Sequence, residues 1–170
     1  MKPIALTLAA AVAAAAAFSG GPASAERLGV YKDWAAHTEG KGGSRVCWIY
    51  SEPVKDEGNY TRRGRIYALI THRPGENIRN QVQFTAGYTF KSGSAVQVAV
   101  GDKKFELFTN ADTAWAHDKT EDEALVAAMR AGATMIVTGT SSRGTLTKDT
   151  YSLSGVSAAH NAIGKACGVK

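Results

Sequence analysis

The chain has 170 residues, of which 44% are hydrophobic and 21% charged, with 18 Gly and only 4 Pro. Those proportions exclude a disordered chain and a collagen-like repeat, and the length leaves room for one ordinary domain. Twenty Lys and Arg against 15 Asp and Glu give a formal net charge of +5. That favours solubility and mild attraction to anionic surfaces, without the dense basic patch and interleaved aromatics of a nucleic-acid binder.

Lys2 is the only charge before Glu26, and residues 4–18 form an almost unbroken apolar run dominated by alanine. Ser19-Gly20-Gly21-Pro22 breaks it, and Ala23-Ser24-Ala25 follows. A basic start, a short apolar core and a small-x-small site describe a secretory signal peptide over 1–25, cleaved after Ala25. The run is shorter than the roughly 20 apolar residues a membrane-spanning helix needs, and no cysteine follows it to carry a lipid. The expectation is an exported protein with no transmembrane segment in its mature form, located in the periplasm, on the outer membrane or at the cell surface. Its folded unit is then a single domain over 26–170.

Residues 26–44 show little periodicity, and Gly40-Lys41-Gly42-Gly43 reads as loop. Residues 45–51 read as a strand, with Val46, Trp48 and Tyr50 on one face and Cys47 and Ile49 on the other. Residues 53–64 are polar and read as a loop. Residues 65–72 form a continuous apolar run expected as a central strand. Residues 79–90 alternate, with Val82, Phe84 and Ala86 set against Gln81, Gln83 and Thr85. Residues 95–100 and 103–108 flank Gly101-Asp102, a pair suited to a two-residue hairpin. A helix follows, with Thr120 as its expected cap, Glu123 completing a capping box and Gly132 as its stop. Residues 134–140 and 145–153 are two further strands around the Ser141-Ser142-Arg143-Gly144 turn. A second helix runs from about 155 to 167 and places Val156, Ala159, Ile163 and Cys167 on one face. The pattern predicts a mainly β domain, an antiparallel sandwich of seven or eight strands with one or two short helices near its C-terminus.

Cys47 and Cys167 are the only cysteines. In an oxidising compartment they are expected to pair, tying the first predicted strand to the last helix. The alternative is two free thiols, one of them reactive, which is a liability in such a compartment. Two cysteines do not build a zinc site, and the four histidines show no ligand spacing with them. No phosphate-binding or dinucleotide fingerprint occurs, so no cofactor is implied.

Two short stretches are candidates for contact. Arg62, Arg63 and Arg65 surround Gly64. They read either as solvated loop charges or as contacts for an acidic envelope surface or glycan. The turn Ser141, Ser142, Arg143 reads either as a hairpin whose hydroxyls satisfy the backbone or as an anion-binding turn. Ser141 and Ser142 lack the G-x-S-x-G elbow of a serine nucleophile. His37, His72, His117 and His160 are available as bases only if the fold brings one within hydrogen-bond reach.

Several strings, in order, resemble the invasion-associated locus B family of alphaproteobacteria. They are Asp33-Trp34, Cys47, Tyr67-Ala68-Leu69-Ile70-Thr71-His72-Arg73-Pro74, Ala86-Gly87-Tyr88, Ala114-Trp115-Ala116 and Ala127-Ala128-Met129-Arg130-Ala131-Gly132. Gly139-Thr140-Ser141-Ser142-Arg143-Gly144-Thr145 follows, running into Asp149-Thr150-Tyr151-Ser152-Leu153-Ser154-Gly155, with Ala158, Ala159 and Cys167 beyond. The resemblance implies an exported protein of the cell envelope, linked in one pathogen to invasion of host cells, with no catalytic residues to carry over. Longer members have additional cysteines after the Asp-Trp pair, where this chain has Ala35, Ala36 and His37. The resulting expectation is a non-enzymatic binding protein for an envelope or host-surface partner, monomeric or weakly homo-oligomeric. It would serve host-cell invasion or envelope maintenance. The alternatives are a small periplasmic hydrolase using Ser141 or Ser142, and a carrier of a small apolar ligand between sheets.

Overall fold

Strand residues alternate between the core and the outer face. In Val46–Ser51, Cys47, Ile49 and Ser51 are buried while Val46, Trp48 and Tyr50 are half-buried, the period of two of an extended chain. The same alternation recurs along the chain in the computed structural model, which describes residues 25–169. The signal-peptide reading of 1–25 falls almost wholly outside the described residues.

Among the described residues eleven strands and two α-helices follow one another. They are β1 (Glu26–Tyr31), β2 (Trp34–Glu39), β3 (Val46–Ser51), β4 (Lys55–Gly58), β5 (Tyr67–Arg73), β6 (Ile78–Thr85), β7 (Val96–Val100), β8 (Lys103–Asn110) and β9 (Thr113–Trp115). Then come α1 (Lys119–Ala131), β10 (Thr134–Thr140), β11 (Leu146–Ser152) and α2 (Val156–Cys167). All pair antiparallel in one sheet of order β1-β2-β3-β5-β6-β9-β8-β7-β10-β11-β4.

The sheet bends at β8, whose first part pairs with β7 and whose last residues pair with β9. A strand that changes partners along its length makes the corner of a sandwich. Beyond that corner β11 returns to the first half. Phe84 of β6 meets Tyr151 of β11 with ring centroids 6.2 Å apart, and Trp34 Nε1 of β2 donates to Ser152 O at 3.0 Å. The mainly β antiparallel class is therefore as expected, with eleven strands in place of seven or eight and one bent sheet supplying the layers.

The four additional strands are β1, β2, β4 and β9. A register shift between Arg27 and Gly29 breaks the alternation of β1, and the small alanines of β2 mute its pattern. β4, KDEG, has no apolar residue and forms an outer edge of the sheet. β9 is three residues long. Expected strand 79–90 stops at Thr85, because Gly87 turns the chain at φ +71°, and Phe90 keeps only an isolated bridge to Ser141.

The cap of α1 is Asp118, two residues before the expected Thr120. Asp118 accepts from Glu121 N at 2.9 Å, and the Glu121 carboxylate accepts from His117 N at 2.7 Å. The capping logic is the one expected, moved to the stronger acidic cap. α2 buries Val156, Ala159, Ile163 and Cys167 as the spacing requires and packs on β1, β2, β3 and β5. Cys167 is bonded to Cys47, with Cα atoms 6.1 Å apart, and both are buried. The bond ties the last helix to the strand expected over 45–51, which is the third in chain order because β1 and β2 precede it.

Candidate functional site

Three segments far apart in sequence are laced together at one end of the fold. They are the loop 59–64 after β4, the stretch 86–90 after β6, and the β10–β11 turn at 141–145. Gly64 N donates to Gly87 O at 2.8 Å, and Ser142 N donates to Thr89 O at 2.8 Å. Gly87 has φ +71°, and a Cβ there would lie 2.5 Å from Gly64 O, so this approach requires glycine. Inside the turn, Gly144 N donates to Ser141 O at 2.8 Å and Thr145 N to Ser141 Oγ at 3.1 Å.

Arg63 fastens the loop to the sheet. Its Nη1 and Nη2 each donate to an Asp149 carboxylate oxygen at 2.6 Å, and Nε donates to Ala86 O at 2.6 Å. The guanidinium lies against the rings of Tyr88 and Tyr60, 4.9 and 5.5 Å from their centroids. Burial is the leading influence on Asp149 and pushes its carboxyl up from the ordinary range, against the bonds and charge of Arg63. Burial pulls Arg63 down, and the Asp149 bonds and charge more than offset this. Burial also pushes the Tyr88 phenol up, although its hydrogen bond with Thr147 Oγ1 at 2.6 Å opposes the shift. The Tyr60 phenol donates to Asp56, and that bond raises it. Both phenols therefore stay protonated at neutral pH.

Between these segments opens a cleft of about 790 Å³. Among the described residues its lining is Asn, Thr, Ser, Tyr, Arg and Gly, with no aliphatic side chain, no carboxylate and no histidine. Five of the six residues singled out from sequence line it: Arg62, Arg63, Ser141, Ser142 and Arg143. Arg65 does not. It is exposed, pairs with Glu52 at 2.8 Å and lies over the Tyr67 ring. Arg63 is committed to Asp149, which leaves Arg62 and Arg143 as cleft cations without an ion pair among the described residues.

The serine-nucleophile alternative lacks its geometry. Ser141 is buried with its hydroxyl accepting from the turn backbone, and every histidine lies elsewhere. His37 stacks on Trp48, His72 and His160 meet edge to face near α2, and His117 is beside Phe108. The lining likewise offers an apolar ligand no aliphatic side chain, only the rings of Tyr60 and Tyr88.

Tyr60, Tyr88, Thr89 and Thr147 were not legible as cleft residues. One signal was present: Thr147, Asp149 and Tyr151 share a strand face with core parity, so Asp149 pointed inward and required a cation.

The family model described as Invasion associated locus B (IalB) protein matches residues 34–164. No curated protein and no solved structure matches the chain.

Proposed function

The chain belongs to the Invasion associated locus B family, and from that premise we propose that it is an exported binding protein of the cell envelope that uses the 59–64, 86–90 and 141–145 cleft. Family membership fits a non-enzymatic envelope protein. The observation that carries the binding reading is the convergence of two remote basic stretches on one cleft, with Arg62 and Arg143 uncommitted and Arg63 spent on holding the wall. Backbone hydrogen bonds join the cleft's three segments, and a preorganised site loses less entropy on binding.

Support for export comes from the Cys47–Cys167 bond, since disulfides persist in oxidising compartments. Among the described residues no helix is long and apolar enough to cross a membrane. The role is host-cell invasion if the protein reaches the cell surface and envelope maintenance if it stays inside.

Two measurements test this. Protease shaving of intact cells, beside a periplasmic control, places the protein outside if it is cut and inside if it survives until the outer membrane is opened. Recovery of a reduced, uncut protein with the cytosolic fraction rejects export. Ser142→Trp, at an exposed position of the turn, fills the cleft without touching the Arg63 bonds. It is expected to unfold at the wild-type temperature and to be lost from the envelope fraction. Wild-type retention of a folded Ser142→Trp protein rejects the cleft.

A further inference from the structure

We propose that the cleft takes an acidic saccharide, a sugar bearing phosphate or carboxylate; this rests on the cleft being the binding surface. Charge gives the first argument. Arg63 and Asp149 neutralise each other, so the uncompensated charge of the lining is that of Arg62, on the loop wall, and Arg143, on the turn wall. Among the described residues no carboxylate lines the cleft to repel an anion. Guanidinium groups match carboxylate and phosphate oxygens two at a time, which an ammonium does not.

The uncharged lining supplies the second argument. Asn59, Thr61, Thr89, Ser142 and Thr145 present amides and hydroxyls that both donate and accept. A row of vicinal sugar hydroxyls needs that mixture. Tyr60 and Tyr88 add two flat rings braced by Arg63, surfaces on which the C–H face of a pyranose packs while the phenol keeps a polar partner. The volume falls within the range of small-ligand sites and has room for a short oligosaccharide.

The same features disfavour the other anionic ligands. An acyl chain would require aliphatic lining, and there is none. An acidic peptide added as a strand would require free backbone groups. Here two amides of the lining are already spent, Gly64 N on Gly87 O and Ser142 N on Thr89 O, which weakens the case for strand addition.

The test is calorimetric titration of the disulfide-bonded protein with five probes. These are a deacylated phosphorylated core oligosaccharide from a Gram-negative outer membrane, its dephosphorylated counterpart, sialyllactose, lactose, and hexaglutamate. An acidic saccharide is expected to bind at least about tenfold more tightly than its neutral counterpart, and Arg62→Gln/Arg143→Gln to lose about tenfold or more. Rising salt is expected to weaken the complex. Binding of the phosphorylated probe assigns an envelope source, and binding of sialyllactose a host-type source; either supports the class. The proposal is overturned if neither acidic saccharide binds, if the neutral sugars bind as well, if the double variant binds unchanged, or if hexaglutamate binds best. In those cases Ser142→Trp separates the two claims. Its loss from the envelope leaves the cleft standing with another ligand, and its retention removes the cleft as well.

Discussion

The side chain of Arg63 is 4% exposed and that of Arg65 is 75% exposed, although they stand two positions apart in one polar segment. Burial decides what each charge is worth. The Arg63–Asp149 pair is out of water on both sides, so removing one partner strands the other. Asp149→Asn and Arg63→Met are each expected to cost about 3–5 kcal/mol, read as a lower urea midpoint at constant slope. Arg63→Lys should recover little of it, because one ammonium does not make the fork to Asp149 and the bond to Ala86 O together. Arg65→Ala should stay within about 0.5 kcal/mol of wild type, as exposed pairs contribute little. A result in which Arg65→Ala costs as much as Arg63→Met would reverse this assignment. Composition does not distinguish these arginines. The distinguishing sign was on the partner strand, where Asp149 occupies a core-facing position between Thr147 and Tyr151.

At the level of elements, α2 rests on a pair of neutral histidines. Asn80 N donates to His72 Nδ1 at 3.0 Å, so the His72 proton sits on Nε2, which has no partner among the described residues. His160 Nε2 bonds Asn80 Oδ1 at 2.8 Å, and its Nδ1 faces Arg130 at 3.4 Å. Burial first, then Arg79 beside His72, and His72 with Arg130 beside His160, lower both rings from 6.5 to about 4. The unfolded chain therefore binds more protons between those values, and stability is full above pH 6.5 and falls on acidification toward pH 4. Asp122, in the first turn of α1, acts in the opposite sense. Burial raises it from 3.8 to about 6, so its contribution falls as pH rises through that window. The Asp149 carboxyl, also pushed up by burial, acts in the same sense as Asp122; the two histidines carry the larger shifts and set the net direction, so stability is expected to fall from pH 7 to 4. Urea midpoints across that range check it, and His160→Gln should flatten the profile; an unchanged slope would remove His160 from the account. The burial of α2 was legible because four apolar residues at helical spacing leave one face to cover. β1 and β4, the two ends of the sheet, were not, because an edge strand is held by ladder hydrogen bonds as much as by buried side chains, and β2, paired on both sides, was hidden by its small alanines. β4 has a run of charges where a pattern reader looks for alternation.

Across the whole molecule, stability and the cleft sit at opposite ends of the same strands. On β3 and β5, Cys47 pairs with His72 at one end and Ser51 with Ala68 at the other, where the chain runs on toward Gly64 and Gly87. The Cys47–Cys167 bond spans a sequence separation of 120, which encloses β4 to β11 and both helices. Constraining a loop of that size in the unfolded chain stabilises the fold by about 5 kcal/mol on chain-entropy grounds. Small domains have about 5–15 kcal/mol in total, so the bond is a large share of what holds this one together. Cys47→Ser/Cys167→Ser is expected to lower the urea midpoint accordingly. Intact mass of the wild type should rise by two hydrogens on reduction, and the unreduced protein should resist alkylation. The separation of the two ends makes a sharper demand. Below its unfolding transition, the serine double variant should keep wild-type affinity for whatever ligand the cleft binds, because Arg62, Arg143 and the Arg63–Asp149 anchor do not depend on α2. A variant that loses affinity while still fully folded would show instead that the clamp on α2 reaches across the sheet to the cleft.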